Sequence, residues 1–210
     1  MQVRPGVDTY DLAWNRGEPL SVHVDETEDG TVLFGAGDQY TAEELVDVAR
    51  TQDVDAVIVE HGDVDHYEGI PALRDALEDV DVAVPAGDAT FLDDAGIEAD
   101  RRLQDGDRFY GVLAIAAPGH TPDNMAYRYD GILVAGDTVA GVDSQYAATG
   151  DWSGPLAPMT PDYNADDAAA RESIAGLLEH DFDVVLVTHG SNVIAGGREA
   201  IEALVADLKR

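Results

Sequence analysis

The stretch His61-Gly62-Asp63-Val64-Asp65-His66 places four potential metal ligands within six residues. Imidazole and carboxylate together suit a zinc- or iron-type ion. The stretch follows the apolar run Ala56–Val59 after a single residue, Glu60. A ligand-rich loop at the end of a buried strand is a rigid mount for such an ion. The chain has only six histidines; two are here, and His120 and His189 follow similar apolar runs. Cysteine is absent, so disulfides and thiolate ligands are excluded and any metal must rest on histidine and carboxylate. Candidate ligands recur in Gly119-His120-Thr121-Pro122, Gly136-Asp137-Thr138 and Thr188-His189-Gly190, each beyond an apolar strand. Strand ends meeting at one edge of a sheet sandwich would form a preorganised cage, and a metalloenzyme is the first reading.

Short apolar runs alternate with helix-like segments along the whole chain. Ser21–Val24 and Thr31–Phe34 read as strands joined by a turn near Asp29-Gly30. Thr41 and Glu44 have capping-box spacing before a helix carrying Leu45, Val48 and Ala49. Further strands are predicted at Ala56–Val59, Val82–Val84, Val112–Ala116 and Val184–Val187, with a hairpin Met125–Tyr129/Ile132–Val134 about Asp130-Gly131. Helices are predicted at Ile70–Leu77 with Pro71 in the first turn, briefly at Phe91 and Leu92, and at Ala165–Leu178 and Arg198–Leu208. Continuous Val/Ile runs imply strands buried on both faces. The lack of strict βαβ alternation favours stacked sheets with helices outside. Ala140–Asp162, rich in Gly and Pro, reads as a long functional or flexible loop. No linker or repeat divides residues 1–210, so one domain is expected.

The ligand groups, in this order from about Thr31 to Gly190, resemble those of the metallo-β-lactamase-fold hydrolases. The resemblance implies an α/β, four-layer αββα sandwich with two divalent metal ions between its sheets, zinc first and iron or manganese as alternatives. It implies that one ion takes His61, Asp63 and His120, the other Asp65, His66 and His189, and that Asp137 bridges them. It further implies hydrolysis of a small ester, thioester or lactone by a metal-bound hydroxide, with Asp65 orienting the water and Asp137 completing the catalytic pair. Asp63 stands where the family usually has histidine, which adds a hard oxygen ligand and motivates a di-iron redox alternative. A non-catalytic metal-binding member is a third reading, and phosphodiester cleavage ranks below these. Gly35 replaces a customary aspartate, so a hydrogen bond supporting a ligand is expected to be missing. Glu60 replaces a small hydroxyl residue and Asp123 a glycine.

The charge is −31, from 43 acidic and 12 basic residues, with Lys209 the single lysine. The acids are spread rather than gathered in a tail. Carboxylates this dense self-repel in dilute buffer, whereas at molar salt the Debye length is about 3 Å. Adaptation to high salt is therefore expected, and the melting temperature should rise from dilute to molar KCl. A polyanion disfavours nucleic acid, leaving a small molecule as the expected partner and a homodimer open. No apolar run reaches the ~20 residues of a membrane span and no signal segment is evident, so a cytoplasmic location is expected.

Other residues receive plainer readings. His23 fits strand alternation, and His180 fits a helix end. Tyr146, Trp152 and Tyr163 either line a pocket or pack under the long loop. Tyr67 reads as helix packing, Ser191 and Asn192 as turn caps, and Gly196-Gly197 as a helix start. No Gly-x-Ser-x-Gly elbow supports a serine hydrolase.

Overall fold

Alternation within single strands builds this fold. The computed structural model describes residues 1–210. In chain order the first sheet takes β1 (Gln2–Arg4), β2 (Val7–Leu12), β3 (Leu20–Thr27) and β4 (Gly30–Phe34). After α1 (Ala42–Thr51) come β5 (Ala56–Ile58), α2 (Val64–Tyr67), α3 (Ile70–Ala76), β6 (Asp81–Pro85), α4 (Ala89–Asp94) and β7 (Arg101–Leu103). The second sheet takes β8 (Arg108–Phe109), β9 (Val112–Ala116), β10 (Met125–Tyr129) and β11 (Ile132–Gly136). A ribbon of β12 (Ala140–Gly141) and β13 (Leu156–Ala157) precedes α5 (Asp167–Gly176), β14 (Val184–Val187) and α6 (Gly197–Leu208). The strand orders are β1-β2-β3-β4-β5-β6-β7 and β14-β11-β10-β9-β8. β4 through β7 run parallel, as do β11 and β14; the remaining neighbours are antiparallel.

Successive strand residues face opposite sides of a sheet, and here the two sides enter separate apolar layers. Val32, Phe34, Ala56 and Ile58 meet Ile132, Val134, Val184 and Leu186 between the sheets. Leu33 and Val57 turn outward under Leu45, Ala49, Ile70 and Leu73 of α1 and α3. Leu133, Val185 and Val187 turn outward under Ile174, Ile201 and Leu204 of α5 and α6. These three layers are the boundaries of an αββα sandwich. The Val/Ile runs are buried on both faces because each strand has a sheet on one side and helices on the other.

Several local expectations change. Thr41 does not build a capping box: its backbone is already helical, and its hydroxyl pairs with the Asp38 backbone. Asp38 Oδ1 instead accepts from the Tyr40 and Thr41 amides, at 2.8 and 3.1 Å, so the turn is closed one step earlier. Glu44 is drawn away to accept the Ala13 amide at 2.7 Å. α5 starts at Asp167, two residues late, because Asp166 caps it through the Ala168 and Ala169 amides. Residues 140–162 are not a bare loop. The β12–β13 ribbon and a bridge between Ala147 and Met159 hold them. Asp130 and Gly131 both have positive φ, 41° and 77°, as the tight hairpin between β10 and β11 requires.

Candidate metal centre

Loops at the ends of β5, β9, β11 and β14 deliver the predicted ligands to one edge of the sandwich. The turn after β5 presents His61 and Asp63, and α2 presents Asp65 and His66. His120 lies between β9 and β10, Asp137 follows β11, and His189 follows β14. Asp137 is central. Its carboxylate oxygens lie 3.6 Å from His61 Nε2, 3.7 Å from His66 Nε2, 3.6 Å from His120 Nε2 and 3.4 Å from His189 Nε2. His120 Nε2 is 3.1 Å from Asp63 Oδ2, and His189 Nε2 is 3.6 Å from Asp65 Oδ2. Donor atoms fall into three groupings within 4.8 Å: His61, Asp63 and His120; His61, His66 and Asp137; Asp65, His66 and His189. All seven predicted ligands thus belong to one cluster. Asp63 is its open side, with a side chain 53% exposed, whereas His61 and His66 are fully buried.

This donor set fits divalent cations. His61 Nδ1 and Nε2, His66 Nε2 and Asp137 Oδ1 are buried without a hydrogen-bond partner, an arrangement that costs free energy unless another group satisfies them. Donors about 2.0–2.2 Å from an ion in tetrahedral array lie roughly 3.4 Å from one another, close to the spacings about Asp137. Burial disfavours charge on His189, but Asp137, Asp65 and Glu18 outweigh it and raise the imidazole to about 12. Burial likewise opposes charge on His66, yet Asp137 and Glu60 hold it well above its ordinary value. Burial and the neighbouring His66 and His120 push His61 well below its own. The carboxylates create a field that demands positive charge, which cations satisfy more fully than protons do.

Residues outside the predicted set fix the loops. Buried Asp88 accepts from the Gly62 amide at 2.8 Å and the Thr121 hydroxyl at 2.7 Å, joining the His61 and His120 turns. Asn124 donates to Ala117 O and Thr138 Oγ1, at 2.8 and 2.9 Å, joining the His120 and Asp137 turns. Glu60 is 2.9 Å from His66 Nδ1. The ligand support expected to be lost with Gly35 is therefore present, supplied by another residue. Glu60 occupies a slot cleared by two glycines. A Cβ on Gly35 would lie 3.6 Å from the Glu60 carboxylate, and one on Gly136 would lie 3.0 Å from Glu60 Cβ and Cγ. Both glycines also have positive φ, 75° and 50°, which a larger residue adopts only with strain. The two departures at 35 and 60 are thus spatially linked, which no single position in the sequence reveals.

A cavity of about 340 Å³ opens above the cluster. Trp14, Tyr146 and Tyr163 form a wall beside His189; Tyr67 and Phe91 line the side of the His61–Tyr67 turn. Trp14 stacks on His189 at 5.5 Å, and Tyr146 lies 4.5 Å from the same ring. Tyr146 and Tyr163 are therefore lining residues, whereas Trp152 bonds Ala148 O and packs against the α5–α6 layer. Tyr67 is buried and also lines the cavity. Trp14 was not legible as a site residue because nothing local marks the β2–β3 turn as functional. Ser191 bonds Asp143, and Asn192 accepts the Val187 amide, so both shape the turn after β14.

His23 stays outside the cluster. Its Nε2 faces the Val187 carbonyl at 3.1 Å, which can only accept, so Nε2 carries the proton and the Thr9 hydroxyl at 2.9 Å donates to Nδ1. Burial lowers it to about 4 from 6.5. The unfolded chain binds this proton more tightly, so the His23 contribution is full above pH 6.5 and declines as pH falls toward 4. His23→Gln should lose roughly 2 kcal/mol less stability than the parent between pH 7 and 5, measured by urea unfolding at both pH values; equal losses would refute this origin.

The comparisons agree with this architecture. The family description "Metallo-beta-lactamase superfamily" matches residues 16–189, and the chain belongs to that superfamily. Among solved structures, a metallo-beta-lactamase from Pontibacter korlensis superposes with a TM-score of 0.73 at 19% identity, covering 100% of this chain and 98% of the other. An archaeal superfamily protein from Sulfolobus tokodaii gives 0.71 at 19% identity, covering 98% and 86%. These likenesses concern the fold. Among curated proteins, the chain is 31% identical over 110 residues to a hydroxyacylglutathione hydrolase of Methylobacillus flagellatus, covering 52% of this chain and 43% of that protein. A hydroxyacylglutathione hydrolase of Photobacterium profundum is 32% identical over 93 residues, covering 42% and 34%. The alignments thus span less than half the length of either curated relative. No helix is long and apolar enough to cross a membrane.

Proposed function

We propose that this chain is a metal-dependent hydrolase acting on a small ester, thioester or lactone. The observation that supports it most is the convergence of four imidazoles on buried Asp137 beneath an aromatic-lined cavity. In this reading His61, Asp63 and His120 hold one cation, Asp65, His66 and His189 the other, and Asp137 is shared, with zinc the first choice. When bound, such ions make water acidic near neutral pH and polarise a scissile carbonyl. The protein's own residues do the rest. Asp65, beside His189, orients the attacking water, and the aromatic walls hold the apolar part of the substrate and exclude bulk solvent. The curated relatives are named for hydroxyacylglutathione, a thioester, and this supports a thioester as the first choice within the class.

The test is metal analysis of protein dialysed at high salt, then a panel of esters, thioesters, lactones and phosphodiesters. Near two equivalents of zinc and thioester or ester turnover are expected. Less than one equivalent, or phosphodiester cleavage alone, would overturn the reading. Asp63 supports a second reading, a di-iron redox centre, because its carboxylate favours harder ions. Two irons with a redox-sensitive visible spectrum would select that one.

A further inference from the structure

We propose that Arg16 is the anchor for an anionic group, a carboxylate, on the substrate. This rests on the reading above and names its substrate class: an acyl compound with an apolar body and a carboxylate at the end that lies on the His189 side.

The case begins with charge. In a chain of 43 acidic and 12 basic residues, carboxylates greatly outnumber guanidinium partners. Arg4, Arg74, Arg102, Arg171, Arg198 and Arg210 each pair with one. Arg50, Arg101, Arg108 and Arg128 make no ion pair but lie outside the cavity lining, whereas Arg16, which makes no ion pair and donates no side-chain hydrogen bond, is in it. It instead lies over the Trp14 indole, 5.6 Å from the ring centre, and lines the cavity. The other charged groups lining that cavity, Asp63, Asp65, Asp137 and the histidines, all belong to the metal cluster. Arg16 is thus the one cavity cation outside it.

The turn that bears Arg16 is braced on both sides. The Ala13 amide donates to Glu44, and Trp14 Nε1 donates to Asp38 Oδ2 at 2.8 Å. Gln145 Nε2 donates to the Arg16 carbonyl at 2.6 Å. Glu18 accepts from Ser144 Oγ and the Gln145 amide, each at 2.8 Å. A guanidinium that lies over an aromatic ring and is mounted on a pinned turn keeps its fork free for bidentate carboxylate recognition. The Trp14, Tyr146 and Tyr163 wall beside it suits the apolar part of the same molecule.

The experiment compares two probes on zinc-loaded protein at one KCl concentration. They are the phenylacetyl thioesters of 3-mercaptopropionate and of 3-mercaptopropionamide, which differ only in a carboxylate. Arg16→Gln should lower kcat/KM for the acid at least tenfold, mostly through KM, and change the amide less than twofold. Arg16→Lys should recover only part of the loss. Equal losses on both probes, or none on either, would overturn the proposal. Binding of the thioether analogues 3-(2-phenylethylthio)propionate and 3-(2-phenylethylthio)propionamide, which have a methylene in place of the scissile carbonyl and are followed by intrinsic tryptophan fluorescence, separates it from the hydrolase reading. Arg16-dependent preference for the acid without turnover of either thioester would keep the anchor and retire the hydrolase; no preference would retire the anchor.

Discussion

Asp137→Ala is expected to remove at least one of two bound metals and most of the activity. Its carboxylate is the only group within 3.7 Å of all four clustered imidazoles, so no neighbouring residue can substitute for it. The apo protein should fold nonetheless. Asp137 itself belongs to none of the three apolar layers that hold the sandwich together, although its loss leaves His66 and His189 without their central counter-charge and should lower the stability of the apo form. Metal content by elemental analysis and melting with and without added zinc separate the two effects. Two retained metals with full turnover would refute the central role given to Asp137.

Glu60→Ala should weaken metal binding by roughly 10–100-fold, the usual cost of removing the partner that orients a ligating histidine. The substitution leaves His66 Nδ1 unpartnered in a fully buried site, and it opens the slot over Gly35 and Gly136. Glu60→Gln keeps the shape and offers a neutral acceptor, so its loss should be smaller. Competition with a zinc chelator measures both. Indistinguishable affinities for parent and Glu60→Ala would dismiss the orienting role. Gly35→Asp tests the spatial link from the other side: a carboxylate at 35 would crowd that of Glu60 and should destabilise the parent more than the Glu60→Ala background.

The sequence made the ligands and the sandwich readable for one reason. Metal ligands and strand alternation are both local patterns: His61 to His66 sit within one turn, and Val32 to Phe34 alternate within one strand. What escaped was set by partners distant in the chain. β2 escaped because Asp8, Tyr10 and Asp11 interrupt its buried residues, and β1 because three residues, Gln-Val-Arg, carry only one apolar side chain. β7 escaped because an edge strand of sequence Arg-Arg-Leu has little apolar character. Asp88 looks like any aspartate before a helix until its contact with Thr121 is seen. The expected capping box failed because Asp38 takes the Thr41 amide that Glu44 would have accepted, and Glu44 turns to the Ala13 amide.

His61, Asp63, Asp65 and His66 hang from the first sheet, while His120, Asp137 and His189 hang from the second. Ions gripped by both would rivet one plate of the sandwich to the other. Losing them should then loosen the seam itself, so that chelator exposes the inter-sheet residues to protease and lets protons exchange along β5 and β11 before the helices on either flank give way.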